Sequence, residues 1–376
     1  MSMFGNDPLN SGSRQEQPVM SPPEGLGWIN DGEKVTVTGY DGTAAALVIP
    51  ESIDGKPVRI IEENAFEGCD GLESVVLPAS ITHIGREAFC DCGSLMRIKL
   101  PEGLLRIEDG VFEGCAWLTG ITIPGAVTFI GEDAFAGCSG LAAVTIPQNV
   151  TFIGDGAFME CSGLTSVTIP KRVTYIGHCA FNDCEELADI TVPDGVTRIG
   201  SAAFEDTALY DDESLWESGV LYLGKYLIKA KYNKIAGFYE IRSGTAGIAD
   251  EAFCGCSGLA GVMIPEGVLF IGEEAFRGCS RLSKAEIPQT VTEIGDWAFS
   301  QCQRLAEITI PESVTRIGEF AFCECSDLTD VTISGNTTQI GEGVFARCKE
   351  LKHIKAPKGS CAEQYATENG LPFKAL

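Results

Sequence analysis

The chain has 376 residues, of which 53 are acidic and 27 basic, for a formal net charge of −26. A polyanion of that size is repelled by nucleic acid and by anionic lipid, so no nucleic-acid partner is expected, and no apolar stretch is long enough for membrane insertion. Hydrophobic residues at 44% and charged residues at 21% exclude wholesale disorder.

Residues 1–26 are polar, with several Pro, Ser and Gly, and read as a disordered tail. They offer neither a basic n-region nor an apolar h-region, so no export signal is expected and the chain reads as cytoplasmic on that ground. Residues 27–57 form an N-terminal cap, in which "EKVTVTGYDGTAAALVIP" predicts two strands around a Tyr-Asp-Gly turn.

From residue 58 to 204 the sequence repeats. Phe66, Phe89, Phe112, Phe135, Phe158, Phe181 and Phe204 follow one another at intervals of 23 residues. After a gap of 49 residues the series resumes at Phe253 and continues through Phe276, Phe299, Phe322 and Phe345, giving five further repeats over 241–357. The shared pattern is V-T-x-I-G-x-x-A-F-x-x-C-x-x-L-x-x-V-x-I-P. Period-2 spacing in "LxxVxIP" predicts a short strand, "VTxIG" a second one, and "xxAFxxC" a single helical or 3₁₀ turn. Gly after the Ile is only preferred, since Glu62, Glu108 and Ala249 replace it. A unit this short cannot bury its own apolar face, so the copies must stack into a solenoid of parallel ladders, roughly 60 Å long at one strand spacing per coil.

Between the two runs, residues 205–240 form an irregular, Tyr- and Lys-rich interruption, expected as a protruding hairpin or an altered coil. Residues 358–376 close the chain. There Ser360 and Glu363 stand at capping-box spacing and Gly370 at a stop, predicting a capping helix over 361–369.

The "IGxxAFxxCxxLxxVxIP" units, the "IDGKPV" entry, the "LYLGKYLIKA" interruption and the "PKGSCAEQYA" ending together resemble the BspA-type leucine-rich repeat family. The resemblance covers about 27–376. It implies a mainly β, right-handed superhelix with parallel ladders, used for protein recognition and often for adhesion at bacterial cell surfaces.

Eleven of the 16 cysteines occupy one column, Cys69 to Cys348, which core packing of a small hydrophobe explains. A reduced, buried column is expected, with thiols outside it, such as Cys90, Cys179 and Cys361, open to labelling. No cofactor and no structural metal site are expected, because the spacings of the cysteines and of the three His do not suit zinc. An acidic column three places before the Phe, including Asp109, Asp155, Asp250 and Asp296, reads as solubilising charge at a turn, with weak calcium binding as an alternative. No P-loop, dinucleotide fingerprint or nucleophile elbow is present, so an enzyme is disfavoured.

Positions that vary between copies are free of the stacking constraint and are expected at the surface. The x of "VTxIG" is filled by Phe129, Phe152 and Tyr175 in three consecutive coils, flanked by Arg106 and Arg198. Aromatics beside Arg have the composition of interface anchors, although stacked rings also simply support one another along a ladder. Trp216, Tyr222, Tyr226, Lys229 and Tyr232 in the interruption are secondary binding candidates. The other sheet's outer column is Thr-rich and reads as a solvated face. The expected function is a non-enzymatic, monomeric scaffold that binds a protein ligand; the alternative is a structural or self-assembling repeat protein.

Overall fold

The computed structural model describes residues 21–376, so most of the expected tail, 1–20, lies outside the described residues. Leu26 already opens the first strand, Leu26–Asn30, which pairs antiparallel with Val35–Tyr40. That hairpin then pairs in parallel with Lys56–Ile61, and the first coil follows. From there on the chain is a mainly β solenoid. The "xI" dipeptides pair in parallel along one side and the triplets centred on the template Val along another, both in register at 23 residues and each broken into several sheets.

The Phe column is the axis of the core. Phe66 to Phe204 and Phe253 to Phe345 stack face to face at centroid spacings between 4.9 and 5.9 Å. A Tyr ring covers three of its four ends: Tyr40 against Phe66, Tyr239 against Phe253 and Tyr365 against Phe345. Offset-stacked rings add attraction beyond the area they bury.

The "xxAFxxC" segment is not the helical turn expected from its length. All twelve copies place the residues two before and two after the Phe at positive φ, as at Asn64 (58°) and Gly68 (66°), or Glu87 (54°) and Asp91 (55°). This alternation aims every second amide along the solenoid. Asn64, Phe66 and Gly68 donate to carbonyls of the next coil, whereas Ala65, Glu67 and Cys69 donate three residues back within their own. Left-handed backbone is costly for residues with a Cβ, and the inter-coil bonds offset it. Val, Ile, Thr and Pro are absent from both slots in every copy, as sterics require. The Gly after the Ile does a different job: its φ is ordinary, but a Cβ at Gly154 would lie 2.5 Å from the Gly131 carbonyl carbon. It is there for close approach of coils.

The cysteine column is unbridged and, apart from its partly exposed ends Cys69 and Cys348, buried, and it is more than packing. Nine of its thiols donate to the carbonyl of a Phe in the preceding coil, as Cys138 does to Phe112 at 3.2 Å and Cys302 to Phe276 at 3.3 Å, while Cys69 at the front reaches the Tyr40 carbonyl. Cys90, expected to be accessible, is buried. The Asp residues of the acidic column also bridge coils. Asp109, Asp155, Asp250 and Asp296 each accept the backbone amide of the residue in the same column of the next coil, at 2.7 to 3.0 Å.

The interruption is a septum and not a protrusion. Strands Val220–Leu223 and Tyr226–Ala230 pair antiparallel, and both faces of the hairpin are buried. Leu221, Leu223, Tyr226 and Ile228 pack on the N-terminal core, while Val220, Tyr222, Leu227 and Ala230 pack on the C-terminal one. The stack is thereby split into two cores. At the far end, helix Cys361–Glu368 is capped by Ser360, whose hydroxyl accepts the Glu363 amide, and Gly370 follows at φ 64°. A further strand, Phe373–Ala375, extends the last sheet beyond the expected helix.

Candidate functional site

Five parallel dipeptides, Arg106–Ile107 through Arg198–Ile199, pair in register and put the variable slot of each coil directly over that of the last. The Ile points into the core at every rung, so the preceding side chain is held outward by the pleat. Phe129 and Phe152 stack at 4.8 Å with 7° between planes, and Phe152 and Tyr175 at 4.5 Å with 2°. The Arg106 guanidinium lies 3.6 Å from the Phe129 ring centre, and that of Arg198 lies 5.9 Å from Tyr175. All five predicted residues therefore form one continuous stack, closed by a cation at each end.

The rings are half-buried, not fully solvent-facing as expected from their variability. The same slot is core further along, where Phe270 is only 6% exposed and its ring folds over Gly247. With both faces of each ring occupied, what the stack presents outward is ring edges. Burial, and then the neighbouring Asp155 carboxylate, push the Tyr175 phenol up to about 12, and its hydroxyl donates to Asp155 Oδ1 at 3.1 Å. It stays a neutral donor.

Arg198 is the most constrained member. Its guanidinium reaches Asp250 at 3.1 Å and Glu273 at 2.7 Å, both beyond the septum in sequence. Clefts of 250 and 300 Å³ flank this junction. Burial raises the Asp250 carboxyl to about 6 even though Arg198 and the Glu273 amide pull it down.

The secondary candidates do not make a surface site. Trp216, Tyr222 and Tyr226 are buried. The Trp216 indole donates to the Tyr210 carbonyl at 2.8 Å, the Tyr226 hydroxyl donates to the Pro193 and Val196 carbonyls at 3.0 Å, and Tyr222 meets the Tyr239 hydroxyl at 3.3 Å. Lys229 pairs with Glu251 at 3.5 Å. Only Tyr232, 68% exposed, stands clear of the core.

One aromatic pair was missed in the sequence. Trp297 and Phe320 occupy the left-handed slot before the Phe in adjacent coils and stack at 4.3 Å. Their spacing of 23 residues was the available signal.

Chemistry is poorly served. Cys179 and His178 approach to 3.2 Å, and His178 also contacts Ser201 at 2.6 Å. Burial and the acids Glu205 and Asp155 raise the Cys179 thiol, the reverse of what an activated nucleophile needs. Cys90 and Cys92 are pushed up to about 12 for the same primary reason, burial. Among the described residues no group of three or more His, Cys, Asp or Glu is placed to hold a metal, and no helix is long and apolar enough to cross a membrane.

The family model of the BspA-type leucine-rich repeat region matches residues 47–165, 106–231 and 246–367. None of the curated proteins matches the chain. Among solved structures, a leucine-rich repeat protein of Treponema pallidum is 33% identical over 52% of this chain and 92% of its own, with a TM-score of 0.48. A leucine-rich cell-surface protein of Faecalibacterium prausnitzii is 29% identical over 93% of this chain and 98% of its own, at 0.44. A leucine-rich repeat protein of Bacteroides ovatus is 24% identical over 94% and 99%, at 0.43. With its period, both its ladders and most of its length accounted for by one repeat type, the chain belongs to the BspA-type leucine-rich repeat family.

Proposed function

We propose that this protein is a non-enzymatic recognition scaffold that binds a protein partner through the Arg106–Phe129–Phe152–Tyr175–Arg198 stack. The observation that carries the reading is that the five side chains are already assembled before any partner arrives, with rings at 4.5 and 4.8 Å and a guanidinium over the Phe129 end at 3.6 Å. Anchors fixed in advance lose little conformational entropy on association, and Tyr and Arg are over-represented among residues that dominate binding energy. The half-exposed ring edges supply an apolar strip for a partner's aliphatic groups, and the two guanidiniums bound it. Membership of a leucine-rich repeat family supports the non-enzymatic part.

The test is a pull-down from the source cells with the wild-type chain and with a Phe129→Ser, Phe152→Ser, Tyr175→Ser variant, alongside thermal melts. Retained folding with lost capture supports the site. Lost folding shows the stack to be structural, and unchanged capture removes it from the interface. Analytical ultracentrifugation separates the monomeric scaffold from a self-assembling protein. Surface-protease accessibility in intact cells decides between adhesion at the cell surface and an internal role.

A further inference from the structure

The other sheet carries a second feature. A depression of 680 Å³ spans four successive coils over Ser74–Val76, Arg97–Lys99, Ile121 and Thr122, and Thr145. It exists because Gly120 and Ala143 fill a column that holds Arg97 in the coil before and Asp189 two coils beyond Ala143. Small residues there leave the sheet uncovered between flanking side chains.

The charge of this depression runs against that of the molecule. Arg97 and Lys99 line it, both exposed, and no carboxylate does, in a chain of net charge −26. Arg86 and Arg106 of the same coils are paired with Asp109 and Glu108, but Arg97 and Lys99 have no such partner among the described residues. Val76, 54% exposed, adds an apolar wall. The outer Thr column continues from Thr145 to Thr168 and Thr191, which line a second depression of 610 Å³ with Lys171 at its side. Its one acid, Asp194, is paired with Lys225 at 2.8 Å.

We infer that this track is a second interaction surface that takes an extended acidic segment of a partner protein. From the Val76 coil to the Thr191 coil are five strand spacings, about 24 Å, which about seven extended residues span. Thr hydroxyls along the floor offer hydrogen bonds to the segment's backbone, and Arg97, Lys99 and Lys171 meet its carboxylates. A solvated face of uniform polarity, which the Thr-rich column suggested, has neither the depressions nor the local reversal of charge.

The test uses a fluorescein-labelled octapeptide of alternating Glu and Val, its Lys-for-Glu counterpart and a single-stranded oligonucleotide, each followed by anisotropy at low salt. The acidic peptide is expected to bind despite the protein's net charge, and the Arg97→Glu, Lys99→Glu variant to weaken it by about tenfold or more. Ala143→Trp, which fills the depression, should weaken it with all charges kept. The Phe129→Ser, Phe152→Ser, Tyr175→Ser variant should bind the peptide as the wild type does, so that this surface and the aromatic stack stand or fall separately. The inference is overturned by no binding of the acidic peptide, by equal binding in the charge-reversed variant, by equal binding of the basic peptide, by loss in the aromatic variant while its melting midpoint matches the wild type, or by an oligonucleotide that outcompetes the peptide.

Discussion

Arg198 Nε donates to Asp250 Oδ2 at 3.1 Å across 52 residues of sequence, joining the last regular coil before the septum to the first one after it. The Asp250 amide donates to the Ile199 carbonyl at 2.9 Å in the same place, and Glu273 adds a second carboxylate to Arg198. Two hydrophobic cores meet here through polar bonds.

Asp250 gives this seam a pH dependence of known sign. Burial raises its folded-state value to about 6, above the ordinary 3.8, so the native state holds this proton more tightly than the unfolded chain. Its contribution to stability is full below about pH 4 and is lost as pH rises through about 6. Asp250→Asn keeps an acceptor for the Glu273 amide and removes the buried charge. The melting midpoint of the variant relative to wild type should therefore rise between pH 4.5 and 7.5, by at most about 2–3 kcal/mol in stability, because Arg198 loses a partner. A difference that is flat or falls over that range refutes the assignment.

Phe158→Ala should cost about 3–5 kcal/mol, since the ring is fully buried between Phe135 at 5.2 Å and Phe181 at 5.3 Å. The septum separates the cores, so hydrogen exchange should rise around coils 135–181 while amides beyond Phe253 keep their protection. Uniform loss of protection along the whole chain contradicts two cores.

Thiol labelling should follow exposure and not column membership. Cys179, Cys254 and Cys361, together with the column ends Cys69 and Cys348, are partly exposed and should react first; Cys90, Cys92 and the rest of the column should wait for denaturation. Because burial raises the thiols of Cys69, Cys179, Cys254 and Cys348, labelling of these four in the native state should stay slow until well above pH 8. Mass spectrometry after denaturation without reductant should count all 16. A lower count means disulfides and refutes the reduced column.

Gly247→Ala should destabilise by about 1–3 kcal/mol, because the added Cβ would sit 2.2 Å from the buried Phe270 ring. Phe270→Leu in the same chain should recover part of the loss, which a double-mutant cycle measures. Additive costs place the ring elsewhere.

Much of this was legible in the sequence because a strict 23-residue period converts columns of letters into columns of space. The stacking of Phe158, the burial of Cys138, the alignment of Phe129 with Phe152 and Tyr175, and the cap at Ser360 all follow from register or from local capping chemistry. What register leaves undetermined is which backbone groups meet between coils. Only the tertiary structure decided that Glu87 and Asp91 take left-handed backbone, that the Cys138 thiol bonds the Phe112 carbonyl, and that Asp155 caps the next coil instead of its own turn. Each of these bonds joins residues 22 to 26 apart, so no local propensity encodes it. The septum escaped for a related reason. Tyr222, Tyr226 and Lys229 read as surface by composition, but a hairpin inserted between two stacks has neighbours on both faces, and its two-sided burial follows from where it sits and not from its own pattern.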